Sequence, residues 1–238
     1  MTDSFQFSTI GRIHSPFKEK FGIPRQSGLS PSVRGEIQLL PPCDTPDTVR
    51  GLERFSHLWV IFVFHQHIER EWSPLVRPPR LGGNKKVGVF ASRSTFRPNM
   101  IGQSIVKLEG IETQAGRTRI HISGFDLLDG TPVLDIKPYI PYNDAVDGAS
   151  GGFAPSAPDQ VLDVLFSAEA ERKCRQLENQ QRPNLQNLIS EILCLDPRPA
   201  YRRDESEERI YGVRLFDLNV RFRVHDKVAK VVDIVSAD

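Results

Sequence analysis

The sequence has few cysteines and no paired arrangement of them. Its three cysteines, Cys43, Cys174 and Cys194, are scattered over 238 residues and form no C-x-x-C pair. An odd and widely spaced set of this kind excludes a disulfide framework and a cysteine zinc site as organising features. We therefore expect the cysteines to be reduced, as in a cytoplasmic protein.

Long apolar runs and a strong net charge are also lacking. No stretch approaches the roughly 20 apolar residues that cross a bilayer, and the opening residues MTDSFQ lack the features of a signal peptide. We expect no membrane partner and a cytoplasmic location. With 31 Lys and Arg against 30 Asp and Glu, the net charge is +1, which excludes binding of a polyanion by bulk charge but allows a local basic patch.

The common nucleotide-binding and hydrolase motifs are absent. The chain has no G-x-G-x-x-G between a strand and a helix, no P-loop, no G-x-S-x-G and no H-E-x-x-H. These absences argue against a Rossmann sheet, an ATPase, a serine hydrolase and a zinc protease.

What is present in the first 140 residues is a series of short strand patterns. Apolar or alternating runs, each broken by Gly, Pro, Asn or Asp, predict strands at 7–14, 35–40, 57–65, 87–91, 104–111, 118–123 and 133–137. Many short strands with few long helices are typical of a β-barrel or a β-sandwich.

The last third of the chain has a different pattern. Beyond a strand at 161–166, it predicts helices at 168–179 and 183–195 with Ser167 as an N-cap, followed by a β-hairpin that begins at 211. Between the two parts, residues 146–158 are rich in Gly, Ala, Ser and Pro and predict a linker or a mobile loop.

These patterns predict a mainly β chain, α+β overall, that does not have a Rossmann fold. We expect an N-terminal β-rich domain at 1–145 and a smaller mixed α/β C-terminal domain at 159–238.

An arginine cluster lies in the stretch ASRSTFRPNMIGQS, residues 91–104. Arg93 and Arg97 occur there with three hydroxyl side chains, and forked guanidinium donors fit a carboxylate or a phosphate. The alternative is a solvated turn in which the arginines pair with nearby acids.

Two further polar groups have a structural and a functional interpretation. His65 and His67 end the most apolar strand, where they could be metal ligands or could face a pocket, and no third ligand is obvious nearby. Asp126, Asp129 and Asp135 lie in GFDLLDGTPVLDIKPYIPY, where a carboxylate could accept a proton, bind a cation or cap its own turn.

A basic and aromatic segment, DPRPAYRR, follows the second predicted helix. It contains Arg198, Tyr201, Arg202 and Arg203, a composition that suits single-stranded nucleic acid because bases stack on aromatic rings and phosphates pair with cations. The alternative is a connector that terminates the helix.

Six segments in order resemble the TsaA-like family of TrmO-type tRNA methyltransferases. They are SPFKEKFGIPRQSG, RFSHLWVIFVFHQ, RPPRLGG, GVFASRSTFRPNMIGQS, LDGTPVLDIKPYIPY and DPRPAYR. The resemblance implies a β-barrel cofactor domain, a homodimer and an S-adenosylmethionine-dependent enzyme. It also implies methylation of N6 of threonylcarbamoyladenosine, at tRNA position 37 beside the anticodon, in threonine tRNAs.

The resemblance also implies the cofactor contacts, with no metal among them. They fall at Gln26, Ser27, Gly28, His65, Gln66, Arg93, the stretch from Gln103 to Ile105, and the turn Asp129, Gly130, Thr131 and Pro132, whose backbone would face the adenine edge. Two positions depart from the family pattern, since Met100 and Ser27 stand where proline occurs.

The remaining roles follow from the implied substrate. Its carbamoylated nitrogen is a poor nucleophile until it loses a proton, so Asp126 or Asp129, or else Tyr201, is expected to act as a base. Arg93 and Arg97 would hold the methionine carboxylate or an RNA phosphate. We expect RNA contacts at Arg97, Arg198, Tyr201, Arg202, Arg221 and Arg223.

Two alternative functions are a non-catalytic RNA-binding module and a metal-dependent nucleotide hydrolase that uses His65, His67 and the aspartates.

Overall fold

The computed structural model describes residues 3–198 and 209–237. Its first part contains eight strands, β1 (Gly11–His14), β2 (Arg34–Leu39), β3 (His57–Val63), β4 (Leu75–Val76), β5 (Val87–Gly88), β6 (Ile101–Gln114), β7 (Arg117–Ser123) and β8 (Pro132–Pro138). Six of them close into a barrel of antiparallel neighbours in the order β1-β2-β7-β6-β3-β8. The predicted β-barrel is therefore confirmed, and β4 pairs with β5 outside it.

Alternation along the strands explains how the barrel is filled. In β3 the side chains of Leu58, Val60 and Phe62 are buried, whereas the residues between them are half-buried. The inward residues of β7 are Thr118, Ile120 and Ile122. Because successive side chains point to opposite faces of a strand, each strand contributes every second residue to one apolar core.

The C-terminal part is an α/β layer. It contains β9 (Asp163–Phe166), α2 (Ala168–Leu177), α3 (Leu185–Leu193), β10 (Tyr211–Leu215), β11 (Leu218–His225) and β12 (Val228–Ser236), preceded by the short α1 (Pro141–Asp144). The sheet order is β10-β11-β12-β9, with β9 parallel to β12. The predicted N-cap is present, since the Ala170 amide donates to the Ser167 hydroxyl over 3.1 Å. Strand β12 was not predicted.

The two faces of this sheet have opposite character. Val220, Phe222 and Val224 of β11 are buried, whereas Arg221 and Arg223 between them are exposed. The buried residues join the apolar faces of α2 and α3 in the core, so the arginines lie on the side of the sheet away from that core.

The segment after β1 joins the barrel to the C-terminal sheet. Phe17 forms a β-bridge with Leu215, and the Phe216 amide donates to the Pro16 carbonyl over 2.7 Å. Gly22 has φ +94°, and a Cβ there would lie 2.7 Å from a methyl group of Val213. Only glycine suits both this conformation and this contact.

Residues 146–158 are exposed and form neither helix nor strand, although Arg80 donates to the Ser156 carbonyl. No helix within 3–198 and 209–237 is long and apolar enough to span a membrane.

Candidate functional site

A cleft of about 690 Å³ lies at the end of the barrel where β3 finishes and β6 begins. Its volume is in the usual range for a small-molecule site. The predicted residues that line it are Gln26, His65, Gln66, Arg93, Arg97, Gln103, Asp126 and Thr131. The structure thus brings together side chains from five separate segments of the sequence.

The arginine cluster forms one wall of this cleft, but its two arginines differ. Arg93 donates to the Gln26 side-chain oxygen across the cleft. Arg97 donates to the Ser92 carbonyl over 2.7 Å and lies over the Phe90 ring at 5.9 Å. Arg97 therefore stabilises its own loop, whereas Arg93 is directed toward the ligand space.

Asp126 is the carboxylate of the cleft. It accepts a 2.6 Å hydrogen bond from the Ser104 hydroxyl. Burial raises the pKa of Asp126 above its ordinary value, and the Ser104 hydrogen bond and the Arg93 charge offset only part of that rise. A carboxylate with a raised pKa beside a cation in a cleft is a candidate general base.

Ser104 lies within the stretch from Gln103 to Ile105 that the resemblance indicates, and strand alternation explains the direction of its hydroxyl. Gly102, Ser104 and Val106 are the buried residues at the start of β6, so alternation places the Ser104 hydroxyl on the inner face. A hydroxyl at an inward position needs a polar partner, which here is Asp126.

Asp129 lies in a different environment from Asp126, three residues away. Its carboxylate accepts from the Ser15 amide at 2.9 Å and from the Lys18 ammonium at 2.6 Å, and it is not in the lining of the cleft. These contacts fit the turn-capping interpretation and not a base directed into the cleft.

The backbone amides of the turn at 129–132 are bonded within the barrel, which corrects the expectation for its donors, whereas its expected carbonyl acceptors stay a prediction. The amides of Asp129, Gly130 and Thr131 donate to the carbonyls of Phe17, Ile13 and Leu128 at 2.8–3.2 Å. These amides are already bonded within the barrel, so they are not free for an adenine edge.

Several other expected cofactor residues lie outside the lining of the cleft. They are Ser27, Gly28, Ile105, Gly130 and Pro132. The Gly28 amide donates to the Gly124 carbonyl over 2.7 Å, and the half-buried Ile105 alternates with Ser104 and so points to the other face of β6.

The two histidines do not extend β3, as the sequence predicted, but form a 3-10 turn at His65–His67. His67 is buried, and the Lys20 ammonium lies 2.8 Å from its Nε2 atom. Burial first, and then neighbouring cations, lower the pKa of both imidazoles. Across residues 3–198 and 209–237 no three His, Cys, Asp or Glu side chains are grouped closely enough for a metal ion.

The basic segment after α3 needs a correction at Arg198. Only 4% of this residue is exposed, and its guanidinium donates to both carboxylate oxygens of Asp196 at 2.9 and 3.1 Å. A buried and doubly bonded guanidinium stabilises the fold and cannot reach RNA from this position. The other two expected contacts here, Tyr201 and Arg202, lie outside the described residues.

A basic surface is present elsewhere, on the exposed side of the C-terminal sheet. Arg221 and Arg223 project there from β11, and Lys230 of β12 lies directly opposite Arg223. Arg214 of β10 is exposed on the same side, opposite Asn219. We name Arg214, Arg221, Arg223 and Lys230 the basic sheet face. Like charges directly opposite each other destabilise a sheet, which suggests a functional reason for the Arg223 and Lys230 pair, whereas Arg221 lies opposite Asp233.

The cleft fits S-adenosylmethionine in its chemistry. Apolar and aromatic side chains, including Phe62, Phe64 and Phe96, supply walls for an adenine ring. The Arg93 guanidinium suits a methionine carboxylate, and the Asp126 carboxylate is a favourable neighbour for a sulfonium charge.

Protein-family models match almost the whole chain. The model described as the tRNA-methyltransferase O N-terminal domain matches residues 12–145, and that of the TrmO C-terminal domain matches residues 159–237.

Similar full-length proteins carry consistent names. The tRNA (adenine(37)-N6)-methyltransferase of Escherichia coli K12 is 52% identical over 94% of this chain and 94% of its own. A protein of Pseudomonas aeruginosa, named as an S-adenosylmethionine-dependent methyltransferase, is 50% identical over 97% of this chain and 98% of its own. The crystal structure of TrmO from Pseudomonas aeruginosa superposes with a TM-score of 0.83 and 42% identity, covering 98% of this chain and 99% of that one.

Proposed function

Because the chain belongs to the tRNA-methyltransferase O family, we propose that it methylates N6 of the adenosine at tRNA position 37 with S-adenosylmethionine. We propose further that the adenosine is threonylcarbamoyladenosine and that the substrates are threonine tRNAs. The observation that carries this proposal is the cleft in which Asp126, with a raised pKa, faces Arg93.

The chemistry requires a proton acceptor more than an acid. S-adenosylmethionine, when bound, supplies an electrophilic methyl group on a positively charged sulfur. Asp126 accepts the N6 proton of the substrate as the nitrogen attacks, and the Ser104 hydroxyl fixes the orientation of the carboxylate. In-line transfer depends on alignment, which the barrel end provides because strands hold both side chains.

Arg93 and Gln26 hold the methionine carboxylate in this proposal. Arg93 carries the charge, and its hydrogen bond to Gln26 sets the guanidinium plane. His65, Gln66, Gln103 and Thr131 line the same space and contribute polar contacts. The Asp129 carboxylate and the backbone hydrogen bonds of its turn fix the position of β1 against the cleft.

The basic sheet face is the proposed contact for the anticodon arm. Its side chains project from a rigid sheet, and the adjoining segment 16–22 connects that sheet to the cleft. Phosphate contacts of this kind position RNA without reading its sequence. The assignment retains Arg221 and Arg223 as RNA contacts and replaces Arg198 with Arg214 and Lys230.

The proposed location of the enzyme and of its tRNA substrate is the cytoplasm.

The proposed assembly is a homodimer. Exposed large apolar side chains concentrate around β4 and β5, namely Ile68, Trp72, Leu75 and Phe90. Apolar side chains exposed in this way commonly mark a protein interface. Sedimentation of the purified chain as a monomer at micromolar concentration would contradict the dimer.

Mass spectrometry of tRNA nucleosides from cells that lack this protein tests the function. We expect threonine tRNAs to retain threonylcarbamoyladenosine but to lose its N6-methyl form, and a plasmid copy of the gene to restore it. Unchanged levels of the methylated nucleoside in the deleted cells would overturn the proposal.

A further inference from the structure

Lys20 is a cation of the cleft lining in addition to the arginines Arg25, Arg93 and Arg97. Lys20 lines the cleft, and its ammonium lies 2.8 Å from Nε2 and 3.4 Å from Nδ1 of the buried His67. Among residues 3–198 and 209–237, no carboxylate lies within ion-pair distance of Lys20. Lys18, two residues earlier, is by contrast paired with Asp129.

The imidazole partner leaves the Lys20 charge uncompensated. A carboxylate would orient an ammonium and also neutralise it, whereas a neutral imidazole accepts one hydrogen bond and adds no negative charge. His67 is itself fixed, because it is buried and its ring packs edge-on against Phe96 with centroids 4.9 Å apart. Lys20 is therefore held in place and keeps two donors and its full charge for an anion.

The cations around Lys20 also favour the binding of an anion at this position. Burial, followed by the charge of Arg70, lowers the pKa of Lys20, and burial followed by the charges of Lys20 and Arg70 lowers the pKa of His67. A group of cations that destabilise one another gains most when an anion binds among them.

The position of Lys20 favours an anion from the RNA over one from the cofactor. Its neighbour Glu19 accepts a 3.0 Å hydrogen bond from the Arg214 amide, in the strand that contributes to the basic sheet face. The segment that contains Lys20 is thus in contact with the edge strand of the sheet that bears the proposed RNA surface, whereas Arg93 lies beside Asp126.

We propose that Lys20, positioned by His67, forms an oxyanion subsite for the substrate nucleotide and selects adenosine that carries a threonylcarbamoyl carboxylate. This inference rests on the proposed function, which supplies a substrate with an anionic group beside the reacting nitrogen. An RNA phosphate offers the same chemistry, and the two sources are separable by experiment.

The test compares two tRNAs that differ only in the threonylcarbamoyl group on A37. Binding of each is measured with the full chain, saturated with S-adenosylhomocysteine, for the wild type, Lys20→Met and Lys20→Arg. Lys107→Met is the matched control, because Lys107 pairs with Glu109 outside the cleft. Affinity for S-adenosylmethionine is measured on every variant as a check of the fold.

We expect Lys20→Met to weaken binding of the threonylcarbamoylated tRNA by about tenfold or more, as removal of a hydrogen bond to a charged group predicts. Binding of the unmodified tRNA and of the cofactor should stay within about twofold, and Lys20→Arg should retain most of the preference. Equal weakening of both tRNAs would identify the anion as an RNA phosphate and would overturn the selection of the threonylcarbamoyl carboxylate by Lys20. Loss of cofactor affinity, or no change for either tRNA, would overturn the subsite itself.

A second pair of variants tests His67 as a positioning residue. His67→Gln keeps a neutral acceptor for Lys20, and His67→Glu adds a carboxylate of nearly the same size. We expect Gln to retain the preference between the two tRNAs and Glu to abolish it while the cofactor still binds. Equal behaviour of the Gln and Glu variants would overturn the role of charge.

The wild type separates this inference from the proposed function. If the wild type methylates both tRNAs equally, the proposed substrate is wrong. If it prefers the threonylcarbamoylated tRNA and Lys20→Met keeps that preference, only the subsite is wrong.

Discussion

The cleft and the basic sheet face hold their charges in opposite ways. In the cleft, Asp126 is bonded to Ser104 and Arg93 to Gln26, and both pairs lie at the end of a closed barrel. On the sheet face, Arg221, Arg223 and Lys230 are exposed, and two of them oppose each other directly. Fixed charges suit a reaction that depends on alignment, whereas exposed charges suit the neutralisation of phosphates.

This contrast predicts separable defects. Changes at Asp126 and Arg93 in the cleft should alter turnover or cofactor affinity, and changes on the sheet face should alter tRNA affinity and its dependence on salt.

The largest effect is expected for Asp126→Asn. Loss of the base should lower kcat by about 10²–10⁴-fold, and loss of the negative charge beside the sulfonium should also weaken cofactor binding. Asp129→Asn is the matched comparison, and because Asp129 caps a turn we expect a smaller loss of rate. Equal losses from the two variants, in single-turnover assays, would remove the distinction between these carboxylates.

Asp126 also predicts the pH dependence of the wild type. Because its pKa is raised, Asp126 is still protonated at pH values where an ordinary aspartate is ionised. A plot of kcat/KM against pH should therefore fall on the acid side, with the midpoint of that fall above pH 3.8, the ordinary pKa of aspartate. The folded state holds this proton more tightly than the unfolded state. The stability contributed by the protonated carboxyl is therefore lost as pH rises through the raised pKa.

At pH values above the raised pKa of Asp126, replacing the buried carboxylate with a neutral amide should stabilise the chain. Asp126→Asn should raise Tm, by roughly 2–4 °C for each kcal/mol gained. A Tm lower than that of the wild type throughout this pH range would contradict the cost of burying the Asp126 charge.

Arg198→Ala should act on stability and not on tRNA recognition. Removing one partner of a buried ion pair leaves Asp196 uncompensated, which costs about 3–5 kcal/mol. Thermal unfolding, together with tRNA binding measured below the unfolding transition, distinguishes this role from an RNA contact. A normal Tm with weak tRNA binding would restore the interpretation of Arg198 as an RNA contact.

Arg93→Ala should weaken cofactor binding by about 1.5–3 kcal/mol, the value of a hydrogen bond to a charged group. Calorimetry with S-adenosylmethionine measures this loss of affinity. Arg93→Lys should recover only part of the affinity, because one ammonium cannot replace the two donors of a guanidinium fork. Unchanged affinity for the cofactor would reassign Arg93 to the solvated surface of the loop.

The smallest effect is expected on the sheet face. Arg221→Ala with Arg223→Ala should raise the KM for tRNA and reduce the log–log salt slope by about 0.7–0.9 for each phosphate that the two arginines neutralise in the wild type. The Kd for S-adenosylmethionine should not change. Arg117→Ala, on a barrel strand outside the cleft, is a suitable control for an exposed arginine. An unchanged salt slope in the double variant would remove this face from the RNA-binding surface.

Local sequence signals predicted local structure well. The Ser167 cap and both long helices depend on nearby residues, and the barrel strands follow from alternation. Strand β12 was missed because its sequence, VAKVVDIVS, does not alternate regularly between apolar and polar residues. The structure gives the reason, which is a bulge that shifts the register between β11 and β12.

The candidate site was only partly predictable, because burial decides what a side chain does. Asp126 and Asp129 look alike in the sequence, and only tertiary packing buries one of them beside Ser104. Arg198 looked like an RNA contact because the sequence does not show that Asp196 binds its guanidinium in a buried ion pair. Lys20 and His67 are 47 residues apart, so no local pattern could pair them.

The most direct test of the proposed function is to measure methyl transfer by the purified chain. Threonine tRNA from cells lacking the protein is incubated with S-adenosylmethionine, digested and analysed by mass spectrometry. We expect one added methyl group on N6 of threonylcarbamoyladenosine at position 37, formed by the wild type and absent with Asp126→Asn. A methyl group on another nucleoside, or none at all with the wild type, would contradict the proposed function.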